Sequence, residues 1–509
     1  MARSHHSDSL NIVMAASEAV PYVKTGGLAD VAGALPVELA RLGHAVTLVI
    51  PRYRNFDTHG QSLRAFGAIR VRTSNGFVDA ELEEGLIPVG ATGPSVRVVA
   101  VRYDPYFDRA GLYQGPDGDF IDNLDRFAFF SRAILEVVAS IASLQGKPVD
   151  VLHLHDWQTA LAAVYLKTTD RNRAILRDVR TLLTLHNVGY QGIFPGRQFP
   201  VMGLSSDLFT PMGLEFYGSV NLLKGGILFS DAVSTVSPTY AKEIMTADGG
   251  FGLEGVLAGR RDGVVGITNG IDVDAWNPEI DQYLPANYSR ADLSGKATCK
   301  KALQVELGLP NRDVPLIGVI GRLTSQKGFD LLVEIIPELM AVGVQIAILG
   351  TGDRSLEVQL QSAKKQYPQQ VGLSLKFDEG QAHRIEAGAD MLIMPSRYEP
   401  CGLSQLYSLR YGTIPIVRKT GGLADTVVPY RPSTALTGRA TGFHFSEVSA
   451  DALLATVLLA LNVYADRDMW RSIQQSGMGV DCSWTRSAKQ YVEVYRGLQE
   501  GRGNLLYGV

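Results

Sequence analysis

Short apolar, β-branched runs recur along the whole chain, separated by stretches whose apolar positions follow helical spacing. In the first half these runs are residues 10–16, 45–50, 96–101, 149–155, 181–186, 232–236 and 264–267. In the second half they are 316–320, 344–349, 373–377, 391–394 and 413–417. Many are apolar at consecutive positions, as strands buried on both faces are. The stretches 31–42, 126–141, 329–342 and 450–462 are amphipathic, and 484–499 also reads as a helix. Strands alternating with helices predict βαβ units, and so an α/β fold of doubly wound parallel sheets. A polar, Pro-containing segment, 272–316, separates the two strand series. It predicts an N-terminal Rossmann-like domain over 1–271 and a C-terminal one over 272–484. A last helix and Gly-rich tail, 485–509, are expected to pack back on the N-terminal domain.

Composition changes this picture little. At 509 residues the chain exceeds what one core usually serves. The net charge of −4 argues against broad nucleic-acid binding. Cys299, Cys401 and Cys482 have no metal-like spacing and point to a reducing compartment, with a Cys299–Cys482 bridge left open. The polar N-terminus lacks the apolar core of a secretory signal, and no run of about 18 apolar residues predicts a membrane span. A cytoplasmic location is expected, or the plastid stroma if a transit peptide has been removed.

One heptapeptide, Lys-Thr-Gly-Gly-Leu-Ala-Asp, occurs twice, at 24–30 and 419–425, each time after an apolar run and before helical spacing. Strand, Gly-rich turn and helix together present N–H groups to an anion at a helix start. Two copies suggest two phosphate-binding folds. The segment 321–328, after the run 316–320, carries Arg322 and Lys327. An Arg fork and a Lys point charge at a strand's carboxyl end can converge on a diphosphate. After the run 391–394, Glu399 stands in Tyr-Glu-Pro-Cys-Gly on a loop expected to enter a helix near Leu403. A carboxylate there can hold a sugar hydroxyl or stabilise developing positive charge, and the helix start can take a phosphate. Cys401 reads as a packed thiol. In the first half, His155-Asp156-Trp157 and His186-Asn187 fall at strand ends, without Zn spacing or a nucleophile elbow. Gly350-Thr351-Gly352 lacks the third glycine of a dinucleotide fingerprint, and Asp272-Val273-Asp274 reads as a turn more than as a metal site.

Taken in order, these motifs resemble those of the bacterial and plant glycogen and starch synthases, from about residue 11 to residue 498. The resemblance implies a GT-B fold, two Rossmann-like domains facing a central cleft. It implies transfer of α-glucose from ADP-glucose to the non-reducing end of an α-1,4-glucan, glycogen or starch, with retention of configuration. It needs no cofactor and no metal. Lys24, backed by Gly27, is implied to contact donor phosphate, with Arg322, Lys327 and the backbone at Leu403 and Ser404. Phe377 stands where the family often carries an aromatic over the nucleobase. Glu399, His186 and Asp156 are implied to surround the transferred glucose. Asp30, Trp157, Asn187 and Asn269 match sugar or acceptor positions, and Lys419 the C-terminal wall of the cleft. The loop 103–113, with Asp108 and Arg109, is expected to face the acceptor. The choice of ADP over UDP comes from the resemblance alone. A UDP-glucose-using or sucrose synthase-like GT-B enzyme, an α-glucan phosphorylase and a silent glucan-binding scaffold remain as alternatives.

Overall fold

The computed structural model describes residues 9–56, 63–90 and 93–501. The polar N-terminal stretch 1–8 and the tail 502–509 lie outside these described residues. The chain divides into two compact α/β units. The first comprises Met1–Val236, Ala241–Gly270 and Trp484–Val509, the second Ser237–Tyr240 and Ile271–Ser483.

The first unit is built on a nine-stranded sheet. Its strands are β1 (Asn11–Ala15), β2 (Ala45–Pro51), β3 (Arg64–Thr73), β4 (Gly76–Pro88), β5 (Ser95–Arg102), β6 (Val151–His155), β7 (Arg180–Leu185), β8 (Ala232–Thr235) and β9 (Val265–Gly266). They lie in the order β9-β8-β7-β6-β1-β2-β5-β4-β3. All pairings are parallel except those of β4, which runs antiparallel to both β3 and β5. The chain winds outward from β1 in one direction, then returns to β6 and winds in the other. The switch point is therefore the crevice between β1 and β6.

The hairpin β3–β4 adds an antiparallel edge to the doubly wound, otherwise parallel sheet. Arg64, Arg70, Arg72, Glu81, Glu83 and Glu84 interrupt its apolar positions, so it shows no buried-strand run. Its alternation is that of a sheet with one wet face. The helix Gly27–Arg41 (α1) packs Val31, Leu35 and Leu39 into a core shared with Tyr491, Tyr495 and Leu498 of the helix Trp484–Gln499. The helix Asn123–Gln145 is long and apolar enough to cross a membrane, but most of it is buried inside this unit.

The second unit holds a six-stranded parallel sheet: β10 (Leu316–Ile320), β11 (Gln345–Leu349), β12 (Val371–Ser374), β13 (Met391–Met394), β14 (Ile414–Arg418) and β15 (Phe443–Phe445). Their order is β12-β11-β10-β13-β14-β15, which puts the switch point between β10 and β13. The run expected over 373–377 is shifted: β12 ends at Ser374, and Phe377 lies beyond it. Asp378 there caps the helix Glu379–Gly388 through its side chain, so the chain must leave the sheet earlier. All three cysteines are free and buried, which closes the Cys299–Cys482 question. Asp272 Oδ1 accepts the N–H groups of Asp274 and Ala275 at 2.9 and 3.0 Å, the geometry of a turn.

Candidate active site

In the first unit the loops leaving β1, β6 and β7 carry the candidate groups, at the carboxyl ends of the two strands that flank the switch point and of the strand beside β6. After β1, the first Lys-Thr-Gly-Gly copy leads into α1. Its support is a residue that the motifs did not single out. Glu18 accepts from Thr25 N–H and Thr25 Oγ1, and burial raises its pKa against these donors and against the Gly26 N–H. Tyr113 reaches the same place from the loop 103–113, with its OH 2.6 Å from Ser17 Oγ and 3.3 Å from Glu18 Oε1. Thus part of the turn expected to face an anion already faces an internal carboxylate. Lys24 Nζ lies 2.7 Å from Asp30 Oδ1, and both are partly exposed.

Asp156 ends β6 and begins the helix Trp157–Lys167 with φ 56° and ψ −173°. That region is essentially reserved for glycine and costs on the order of 1–3 kcal/mol. The strained backbone aims a carboxylate at the neighbouring strand end: Oδ1 accepts His186 N–H at 2.7 Å. Burial lifts the Asp156 carboxyl from 3.8 to about 7, against the opposing N–H groups of His186 and Asn187. His186 Nε2 lies 2.8 Å from His155 Nδ1, and burial lowers the His186 pKa to about 3. Asn187 turns its Oδ1 to the N–H of Gly189. Trp157 packs edge-on against Phe127 and over Gly192, where a Cβ would lie 2.4 Å from its ring. Asn269 is buried, and its Oδ1 accepts no hydrogen bond among the described residues. Asp108 and Arg109 pair with Arg54 and Asp122 in the same unit.

In the second unit two loops meet beside the switch point. The segment 321–328 leaves β10, and the segment 395–404 leaves the adjacent β13. They are laced together: Arg397 N–H donates to Gln326 O at 2.8 Å, and the Arg397 guanidinium forks onto Asp330 at 2.7 and 2.6 Å. Gly328, at φ +70°, lets the first loop turn where a Cβ would stand 2.1 Å from Pro395 O. The result is one ion pair, Lys327 Nζ to Glu399 Oε2 at 2.6 Å, with Ser396 Oγ donating to the same oxygen at 2.9 Å. Glu399 is only 5% exposed. Arg322 is exposed and makes no ion pair among the described residues. The helix Ser404–Tyr411 starts beside Glu399, with Leu406 and Tyr407 N–H groups donating to Leu403 O. Ser404 and Gln405 N–H groups precede that first bond and are open to an anion. Phe377 is 82% exposed and away from these contacts.

The second heptapeptide copy differs from the first. Its helix, Gly421–Thr426, is short, and Gly422 N–H donates to Glu399 O and Pro400 O at 3.1 Å each. A Cβ on Gly421 would stand 2.0 Å from Glu399 O, and one on Gly422 2.1 Å from Cys401 O. This corrects the expectation of two equivalent anion turns. The second copy is a brace behind Glu399, and Lys419 is exposed at its entry.

The structure therefore joins Asp156 with His186 and Asn187, Lys24 with Asp30, and Lys327 with Glu399. Among the described residues, Arg322, Phe377 and Asn269 make no hydrogen bond or ion pair with another candidate residue. Glu18 and Ser396 bond within their own loops and Tyr113 across 95 residues, and no spacing rule marks any of these contacts.

Known proteins carry the same pattern. Residues 11–259 match the family described as the starch synthase catalytic domain, and residues 304–476 that of glycosyl transferases group 1. The chain is 46% identical over 491 residues to a glycogen synthase of Anaeromyxobacter sp. (strain Fw109-5), covering 96% of this chain and 99% of that one. It is 44% identical over 493 residues to a glycogen synthase of Koribacter versatilis (strain Ellin345), covering 97% and 99%. Among solved structures it is similar to the catalytic domain of Starch Synthase IV from Arabidopsis thaliana bound to ADP and acarbose. That TM-score is 0.87 at 35% identity, over 97% of this chain and 100% of that one. A sucrose-phosphate synthase from Thermosynechococcus elongatus, at 17% identity and a TM-score of 0.57, shares the fold.

Proposed function

The chain belongs to the glycogen and starch synthase family of glucosyltransferases, with the GT-B fold, and from that membership we propose that it extends α-1,4-glucan from ADP-glucose with retention of configuration. The observation that carries the reading is the Lys327–Glu399 pair at 2.6 Å beside a sheet switch point. The two charges match the two halves of a nucleotide sugar. As the glycosidic bond breaks, the diphosphate gains negative charge and the glucosyl carbon becomes oxocarbenium-like. Lys327 turns to the phosphate, with Arg322, Lys24 (backed by Gly27) and the backbone at Leu403 and Ser404, where the helix start leaves N–H groups open. Glu399 is then released to the glucose. Phe377 is read as the surface against the nucleobase.

His186 and Asp156 are read as the first unit's contacts to the transferred glucose, and Asp30, Trp157, Asn187 and Asn269 as sugar or acceptor contacts. The unpartnered Asn269 Oδ1 suits a hydroxyl donor. Retention is assigned to same-face attack: the acceptor hydroxyl loses its proton to the departing phosphate oxygen as the new bond forms. A trapped glucosyl-enzyme adduct would overturn that step. A cytoplasmic location accords with this chemistry.

The direct test is an initial-rate assay with glycogen as acceptor and ADP-glucose or UDP-glucose as donor. Faster α-1,4 extension from ADP-glucose is expected. Extension from UDP-glucose alone would reassign the donor, and none from either would reject the reading.

A further inference from the structure

Three histidines of the first unit stand in a row, His153 and His155 on β6 and His186 just past β7, and only one has been given a role so far. His153 is fully buried, with Tyr495 OH 2.8 Å from its Nδ1 and Thr184 Oγ1 2.6 Å from its Nε2. Thr184 Oγ1 continues to Ser234 Oγ at 2.7 Å. His155, also fully buried, lies over His153 with ring centroids 4.2 Å apart. Its Nδ1 meets His186 Nε2 at 2.8 Å. Its other nitrogen, Nε2, is enclosed and has no hydrogen-bond partner among the described residues. His186 is partly exposed, and its Nδ1 makes no hydrogen bond among the described residues.

Burial lowers His153 and His186 to about 3 and His155 well below its ordinary value, so each ring carries one proton near neutral pH. A neutral imidazole has one N–H and one lone pair. The proton in the His155–His186 bridge then has two possible homes. On His186 Nε2, it would force His155 to carry its own proton on Nε2, an enclosed N–H with nothing to receive it. On His155 Nδ1, it leaves a bare lone pair enclosed, and it places the His186 proton on Nδ1. Orphaned buried N–H groups are rarer than under-satisfied acceptors, and the bond made by one ring nitrogen fixes the state of the other.

We infer that His155 is a positioning residue that locks His186 in its Nδ1–H tautomer, so that His186 presents a fixed neutral donor and not a base. The group this donor fits is an acceptor oxygen of the transferred sugar. The inference rests on the reading of His186 as a glucose contact. Its proton placement, however, is a property of the protein alone. His153 backs the lock from behind, itself held by Tyr495 of the last helix.

The experiment begins with the full chain labelled with 15N-histidine, whose ring nitrogens report by chemical shift and proton coupling. Loss of signals in His155→Phe and His186→Asn assigns them. Protonated Nδ1 and bare Nε2 on both His155 and His186 are expected in the unaltered protein. A protonated Nε2 on His186 overturns the lock. If His155→Phe folds, its His186 signals are expected to shift toward the Nε2–H form, and an unchanged His186 spectrum would also overturn it. If it does not fold, the unaltered spectrum still decides. The kinetic arm compares His186→Asn, whose amide nitrogen falls near the Nδ1 position, with His186→Gln, whose amide falls near Nε2. The Asn variant is expected to keep on the order of tenfold more kcat/KM than the Gln variant. Gln equal to or better than Asn overturns the donor role. Wild-type kcat/KM in both would instead reject the glucose contact itself, with the spectra still deciding the proton.

Discussion

At the scale of single residues, two candidate cations are already engaged by internal carboxylates, and substrate must exchange those partners. Lys327 holds Glu399, and Lys24 holds Asp30. Arg322 has no such pair among the described residues, so on the proposed reading its whole charge is available to a diphosphate. Arg322→Ala and Lys327→Ala are each expected to lower kcat/KM by on the order of 100-fold or more. Steady-state kinetics with ADP-glucose checks this, and unchanged turnover in either variant would remove that residue from the phosphate site. Asp156 offers a test through stability. Its carboxyl is raised from 3.8 to about 7 in the folded state by burial. Folding therefore favours the protonated form. The cost of charging it is absent below about pH 4, grows as pH rises, and is fully present above about 7. Asp156→Asn cannot charge and keeps an acceptor for the His186 N–H. Its Tm relative to the unaltered protein is expected to be higher at pH 8 than at pH 5, while activity falls. A Tm difference independent of pH would contradict the buried-charge account.

At the scale of elements, an identical heptapeptide does different work in two places because the surrounding sheet decides what its glycines meet. A Cβ at Gly26 would find nothing within 4 Å, whereas one at Gly422 would strike Cys401 O. Gly422→Ala should lower Tm and, by moving Glu399, kcat, whereas Gly26→Ala should leave Tm close to that of the unaltered chain. Thermal melts of the two variants check this, and equal destabilisation would mean that the copies are braced alike. The same contrast explains what could be read from the sequence. Buried strands such as β10 and β13 announce themselves, since residues enclosed on both faces must be apolar at every position. The helix start at Ser404 and the candidate loops at their carboxyl ends followed from that pattern. The hairpin β3–β4 did not, because its charged face hides the strand period. Nor did the placement of Phe377, which follows from the helix cap at Asp378. The Glu18–Thr25 contact spans only seven residues, yet its geometry depends on the bend between β1 and α1.

At the scale of the whole molecule, the proposed reading has side chains and N–H groups meet the leaving-group charge, and the Asp272 carboxylate is engaged in its own turn. Activity is accordingly expected to persist in excess EDTA. Loss of activity that Mg²⁺ restores would return Asp272 and Asp274 to a metal role. The chain path adds a consequence of its own. The helix Trp484–Gln499 completes the core of the unit that begins at the N-terminus, and its Tyr495 props His153. During synthesis the opening half of the protein therefore emerges from the ribosome with a side of its interior bare, and it stays so for more than two hundred codons. Only once the helix Trp484–Gln499 has emerged does that unit acquire its finished core, so a chain stopped before Trp484 is expected to leave that core open.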